Sequence, residues 1–544
     1  MRHAMVLGAL LAAGVLATPR AEACGGFFCS RTPIDQAGER IVFGVRENVV
    51  EAHIQIQYQG AAEKFSWVVP MPAKPTLDVG SPLIFSYLDS RTQPRFTLQW
   101  QNSCEGGRGG GGDPMADGDA GGPPSPAPGS GGVVVVSQQE VGPYEAAILM
   151  AEEATALRTW LVDNGYDLTL QGGQALEPYV GKGNYFVALK LQQNKQVGDL
   201  RPIVLRFPGN RPCIPIKLTA IAARPDMPIT AYVLSNKRAI PINYRHVLIN
   251  PTRINWLSGG SNYSQVANAA VDEAGGHAFL TEFAGPAGPV AEGFEAMMPD
   301  YDTTALAQLA HPVDFSAELL RQGFARDPAV QGLLREFIPI PQSLVQQGIT
   351  EAMFYNTLSQ HREAIDSDPG RAPFNAAGFA QALENTIVKP TQASLALLKA
   401  HPYLTRLFTT MSAEEMTVDP DFDFNSDAPA VSNIYTAKAT IESCEQDWSE
   451  RRIRIELPDG RFFYQKFGQT PPVQGPNSLR IEQWNNVGPA AVLQDNGAQV
   501  DEELERAGGG VLNSGCACSS SGAGSAALLT FILGVWGARR RRKS

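Results

Sequence analysis

The sequence predicts an α+β fold: a strand-rich mixed-sheet body with one long helix, a helical segment in the second half and a returning C-terminal hairpin. Three observations carry this. Short runs rich in Val, Ile, Tyr and Phe, separated by Gly, Pro and Asp turns, fill the first half. Between about residues 301 and 416 the apolar period lengthens to 3.6. Strand-like runs then return beyond residue 430. A chain of 544 residues corresponds to two to four folded units at roughly 100–200 residues each. Its 53 Gly, 40 Pro and 43% apolar content exclude a collagen-like or wholly disordered polymer. A net charge of −11 argues against a grip on nucleic acid, which needs a basic face.

Residues 1–23 read as a signal peptide. Arg2 and His3 precede an apolar run from Ala4 to Ala17, and Ala21-Glu22-Ala23 supplies a small-x-small cleavage site. A run of ~14 apolar residues is too short to span ~30 Å of hydrocarbon as a helix. Cys24 directly follows the site and raises acylation as an alternative, although Ala21 stands where such signals prefer leucine.

Residues 24–300 form the strand-rich region. Strands are predicted at Val42 to Val50, His53 to Gln59, Phe65 to Pro70 and Arg95 to Gln101, as an early antiparallel sheet. Residues 105–132, with Gly-Gly-Pro-Pro-Ser-Pro-Ala-Pro, read as a disordered insert, after which Val133 to Val136 resumes a strand. A helix opening at Tyr144-Glu145 and running past Leu161 closes at Asn164-Gly165. Four strands follow: Asn184 to Gln192, Pro202 to Phe207, Cys213 to Ala222 and Pro228 to Ser235.

Residues 301–418 are expected to be helical and 419–484 to hold the C-terminal strands, including a hairpin through Pro458-Asp459-Gly460 that rejoins the first sheet. Polar, Gly-rich residues 485–515 read as a flexible tether. In residues 516–544, Cys516 and Cys518 lead into the apolar run Ala526 to Trp536, and Arg539 to Arg542 with Lys543 close it, the pattern of a stop-transfer signal. The two ends carry +1 and +5, leaving −17 on residues 24–515.

Three constellations could carry chemistry. The body has five cysteines, Cys24, Cys29, Cys104, Cys213 and Cys444. In an exported chain they are disulfide candidates, with Cys24–Cys29 and Cys104–Cys444 as pairings and one thiol left over. A redox site is the rival, but four residues, not two, separate Cys24 from Cys29. His277 and Glu282 suggest an acid/base or metal site; Gly275-Gly276 before them equally suit a tight turn. Asp419, Asp421, Asp423, Asn425 and Asp427 alternate as calcium ligands can, yet Phe424 and Ala430 stand where a calcium loop needs Gly and Glu. In extended chain the same alternation puts the acids on one face and Phe422 and Phe424 on the other. Nucleophile elbow, phosphate loop and dinucleotide fingerprint are all missing, so no cofactor is expected.

Two resemblances add to this. The segments Cys24-Gly25-Gly26-Phe27-Phe28-Cys29, Val141-Gly142-Pro143-Tyr144, Trp160 to Tyr166, Asp272 to Gly285 and Met416 to Pro420 resemble the bacterial family known as domain of unknown function 2330. That resemblance implies an exported bacterial protein and offers no catalytic residues. The tail from Cys516 resembles MYXO-CTERM sorting signals, which implies cleavage near the cysteine and transfer to the cell surface. The expected protein is therefore exported by the secretion and sorting machinery and attached to membrane or cell surface through its tail. Its expected role is structural or binding, with an extracytoplasmic hydrolase as the alternative.

Overall fold

The computed structural model describes residues 35–59, 65–101, 133–166 and 170–512, apart from 194, 196, 371, 444 and 446. The leader with Ala23, the 105–132 insert, Cys24, Cys29, Cys104, Cys444, Cys516, Cys518 and the tail lie outside the described residues. Among the described residues, no helix is long and apolar enough to cross a membrane.

The α+β class holds. A ten-stranded mixed sheet runs in the order Ala491–Asp495, Ser478–Gln483, Arg245–Ile249, Ala278–Pro286, Tyr403–Met411, Met227–Ser235, Asp35–Arg46, Val49–Gln59, Ile203–Pro208 and Thr76–Val79. Alternation along Asp35–Arg46 sends Ile41 and Phe43 to one face and Val42 to the other. The first face packs on a four-stranded sheet of Ser66–Met71, Tyr185–Leu191, Tyr144–Met150 and Val134–Val141. The second packs on the helices Leu83–Thr92, Gly288–Met297 and Lys389–Ala400 through Ile84, Phe85, Phe294 and Leu398, all fully buried. At about 1.5–3 kcal/mol per large apolar side chain, these two faces dominate the stability of the layers. On its far side the four-stranded sheet carries the helix Ala154–Asp163, which buries Leu157, Trp160 and Leu161.

One charged side chain breaks the apolar pattern. Glu39 lies on the face of Ile41 and Phe43, pairs in register with Ile229, and is 4% exposed, and its Oε2 lacks a hydrogen-bond partner. Burial pushes its carboxyl up to about 7.

Several expectations are corrected. The predicted strand Val42 to Val50 is two strands of a hairpin, turned by Glu47 and Asn48 at φ 54° and 60°. The predicted long helix from Tyr144 begins only at Ala154, because Tyr144–Met150 is an inner strand buried between two neighbours. Cys213 to Ala222 is a bridge residue followed by the short helix Ile216–Thr219, not a strand. Most of residues 301–400 is helical around a core of their own, with Phe315, Phe324, Phe354 and Phe379 fully buried. Tyr403–Met411, inside the expected helical segment, is instead a central strand. The hairpin Ile453–Glu456 and Arg461–Gln465 joins a separate five-stranded sheet, where Ile434–Ile441 runs parallel to Arg95–Gln101. The expected tether is folded as far as Leu512: Ala491–Asp495 pairs with Ser478–Gln483, and the helix Gly497–Arg506 buries Val500 and Leu504.

Candidate functional site

Between the ten- and four-stranded sheets lies a cavity of about 340 Å³. Its walls are apolar because strand alternation delivers Ile41, Phe43, Ile54, Leu205 and Phe207 from one sheet and Val69 and Met71 from the other. Its mouth is polar, formed by Tyr179, Asn184, Arg211, Cys213, Asp419 and Asp421.

Most of these mouth groups already hold partners. Asp419 accepts from the Tyr179 hydroxyl at 2.7 Å and the Lys217 backbone N–H at 3.1 Å, with the Lys217 ammonium at 3.6 Å. Arg211 is paired with Asp423 at 2.6 Å. Cys213 is a free cysteine bridged in backbone to Asp421. Desolvation and then the Asp421 and Asp419 carboxylates push its thiol up, which disfavours the thiolate at neutral pH. Asp421 makes no salt bridge among the described residues and stands as the unneutralised charge of the mouth.

The alternating acids do not converge. Phe422–Asn425 is a strand paired with Arg238–Pro241, and Phe422 and Phe424 turn into the core as extended chain requires. Asp419 and Asp423 meet the separate partners given above, and Asp421 is bridged in backbone to Cys213. Asn425 donates to the carbonyls of Asn485 and Gly488 at 2.7 and 2.8 Å, and Asp427 accepts from the Gly488 N–H. No group of three or more His, Cys, Asp or Glu is gathered as a metal site needs among the described residues.

His277 and Glu282 are also held apart. His277 Nε2 lies 2.6 Å from the Glu415 carbonyl and 3.1 Å from the Thr417 hydroxyl, with its ring edge-on to Tyr244. Gly275 and Gly276, at φ 84° and 74°, make the tight turn before it. Glu282 is buried in a different network. It accepts from Arg406 Nε and the Tyr263 hydroxyl, both at 2.5 Å, while Arg406 Nη1 reaches Asp89 at 2.8 Å. Asp89 in turn accepts from Tyr232 and Arg40 at 2.6 and 2.7 Å. These contacts tie the central strands to the helix Leu83–Thr92.

One arrangement has no signal in the sequence. The Thr281 hydroxyl lies 3.0 Å from His246 Nε2, and His246 Nδ1 lies 3.2 Å from Glu482. This is the hydroxyl–imidazole–carboxylate order of an acyl-transfer site, assembled from positions too far apart for any spacing rule. Burial lowers the His246 pKa, which keeps the ring neutral as a base must be. Yet Thr281 is 8% exposed, and Arg238 covers its hydroxyl, donating from Nη2 at 2.9 Å while its guanidinium stacks on Trp484. As arranged, the network fastens strands together, with the Thr281 hydroxyl held by both Arg238 and His246.

A family model described as an uncharacterized protein conserved in bacteria (DUF2330) matches residues 18–319. No curated protein and no solved structure matches the chain.

Proposed function

The chain belongs to the DUF2330 family of uncharacterized bacterial proteins, and on that premise we propose that it is an exported, surface-displayed binding module whose ligand sits between the two sheets. The observation that carries this reading is the apolar cavity lined at its polar side by Asp421, a carboxylate that makes no salt bridge among the described residues. A volume of about 340 Å³ lies in the size range of ligand sites, and such sites pair apolar walls with a few placed polar groups. The ligand is a small apolar body carrying a cationic or hydrogen-donating head. Export and display are supported by the charged-apolar leader ending at Ala23 and by the Cys516-to-Ser544 tail with its basic end.

Calorimetric titration with hexylamine, hexanol and hexanoate tests the cavity. Hexylamine should bind roughly tenfold more tightly than hexanoate, the worth of one charge-assisted contact, and Asp421→Asn should remove that preference. Absence of saturable binding by all three, or a preference that survives Asp421→Asn, overturns the reading. Cell fractionation with intact-mass analysis tests display, which fails if both ends are found uncut in the cytoplasm. The hydrolase alternative draws on Thr281, His246 and Glu482, and for that site to act Arg238 must swing off the hydroxyl.

A further inference from the structure

Two chain segments facing each other build the mouth of the cavity. Cys213 bridges Asp421 in antiparallel fashion, and the Phe422 N–H donates to the Pro212 carbonyl at 3.0 Å, so Arg211 stands opposite Asp423. Alternation then divides the side chains between two sides. Arg211, Cys213, Pro215, Asp419 and Asp421 line the cavity, whereas Ile214 and Phe422, between them in sequence, lie fully buried in the core. Arg211 and Asp421 are thus diagonal neighbours on the side that fronts the cavity, with about 7 Å between their β-carbons.

Both groups are open to an incoming molecule. The Arg211 side chain is 53% exposed and commits only Nη2, to Asp423 at 2.6 Å; Nε and Nη1 hold no hydrogen bond among the described residues. Asp421 is half-buried, and the hydrogen bond it takes from the Cys213 thiol leaves it further lone pairs to offer. Around the mouth two cations, Arg211 and Lys217, stand against three carboxylates, Asp419, Asp421 and Asp423. A ligand of charge +1 meets that balance. A zwitterion would leave it unmet and bring one more carboxylate beside the three. The remaining N–H groups of Arg211 therefore suit a neutral carbonyl. An ammonium, a carbonyl one carbon away and an apolar side chain on the carbon between them make the amino end of a peptide.

On the reading of this cavity as a ligand site, we propose that it captures the amino terminus of a peptide whose first residue is large and apolar. The ammonium pairs with Asp421, the first carbonyl accepts from Arg211, and the side chain enters the space between Phe43, Phe207, Val69 and Met71. Leucinamide, leucine and isopentylamine share a side chain and an ammonium and differ only in the group on the α-carbon. Titrated into the full chain by calorimetry in mildly acidic buffer, leucinamide should bind roughly tenfold more tightly than isopentylamine, the worth of one hydrogen bond to a charged group. It should exceed leucine by roughly the same factor. Leucylglycinamide, which continues the chain, should equal or exceed leucinamide. In Arg211→Gln the advantage of leucinamide over isopentylamine should vanish. Leucine or isopentylamine matching leucinamide, leucylglycinamide falling roughly tenfold below it, or its advantage persisting in Arg211→Gln overturns the proposal. Saturable binding of isopentylamine with no gain from the amide overturns this inference alone and leaves the cavity reading standing; lack of saturation by all four molecules removes both. The contrasts among the four are read in the unaltered protein and do not depend on any variant folding.

Discussion

Replacing Glu39 with Gln should change how stability depends on pH. In the native chain Glu39 holds its proton up to about pH 7, because burial opposes its charged form, whereas the unfolded chain releases it near 4.5. Between those values the native state binds more protons, so stability falls as pH rises, and the full loss is reached above pH 7. The gap of about 2.5 pH units, at about 1.4 kcal/mol each, makes the loss about 3 kcal/mol. Glu39→Gln keeps the volume and cannot ionise. The variant should therefore match the wild type near pH 4.5 and exceed it by up to about 3 kcal/mol at pH 8. Urea unfolding of both proteins from pH 4.5 to 8.5, followed by tryptophan fluorescence, measures the difference, in which all other titrating groups cancel. A wild-type-to-variant difference that stays flat across this range would refute the assignment of a buried, unpaired carboxyl at Glu39.

Other outcomes follow from the same contacts. Arg406→Met leaves Glu282 and Asp89 without their shared cation and should destabilise the protein by about 3–5 kcal/mol, read as a fall in Tm; a shift below 1 °C would count against the network. Parallel pairing sets Gln101 opposite Thr440, and each strand reaches a cysteine within four residues, so non-reducing mass mapping should find Cys104 joined to Cys444. Finding both thiols alkylated would exclude it. Cys213 should react with iodoacetamide at pH 8 more slowly than a small free thiol, and Asp421→Asn should accelerate it, since Asp421 is among the groups that raise its pKa.

The sequence made several strands legible, and the helical character of residues 301–400, but not where that block ends. Arg95–Gln101 and Tyr185–Leu191 fall close to where Val, Phe and Tyr content and turn residues put them. Tyr144–Met150 was misleading because it is covered on both faces, so alternation is lost and its Ala, Ile and Leu fit a helix as well as a strand. The helix Leu83–Thr92 escapes notice for a like reason, burying Ile84, Phe85, Tyr87 and Leu88 around most of its girth. Among site residues, Phe422 and Phe424 announced an extended chain, and the structure keeps it. The cavity was out of reach, since Ile54, Val69 and Asp421 meet only through the stacking of two sheets.

The strand Tyr403–Met411 sits between Met227–Ser235 and Ala278–Pro286, in the middle of the ten-stranded sheet. A ribosome that has made only the family-matched stretch to residue 319 has delivered both neighbours and not the piece that joins them. Glu282 then waits without Arg406, and two strand edges stand open beside each other. The largely helical residues 320–402 are synthesised before the gap closes. The boundary of the family is thus not a boundary of folding, and a truncation at residue 319 should yield an insoluble fragment, not a smaller version of the protein.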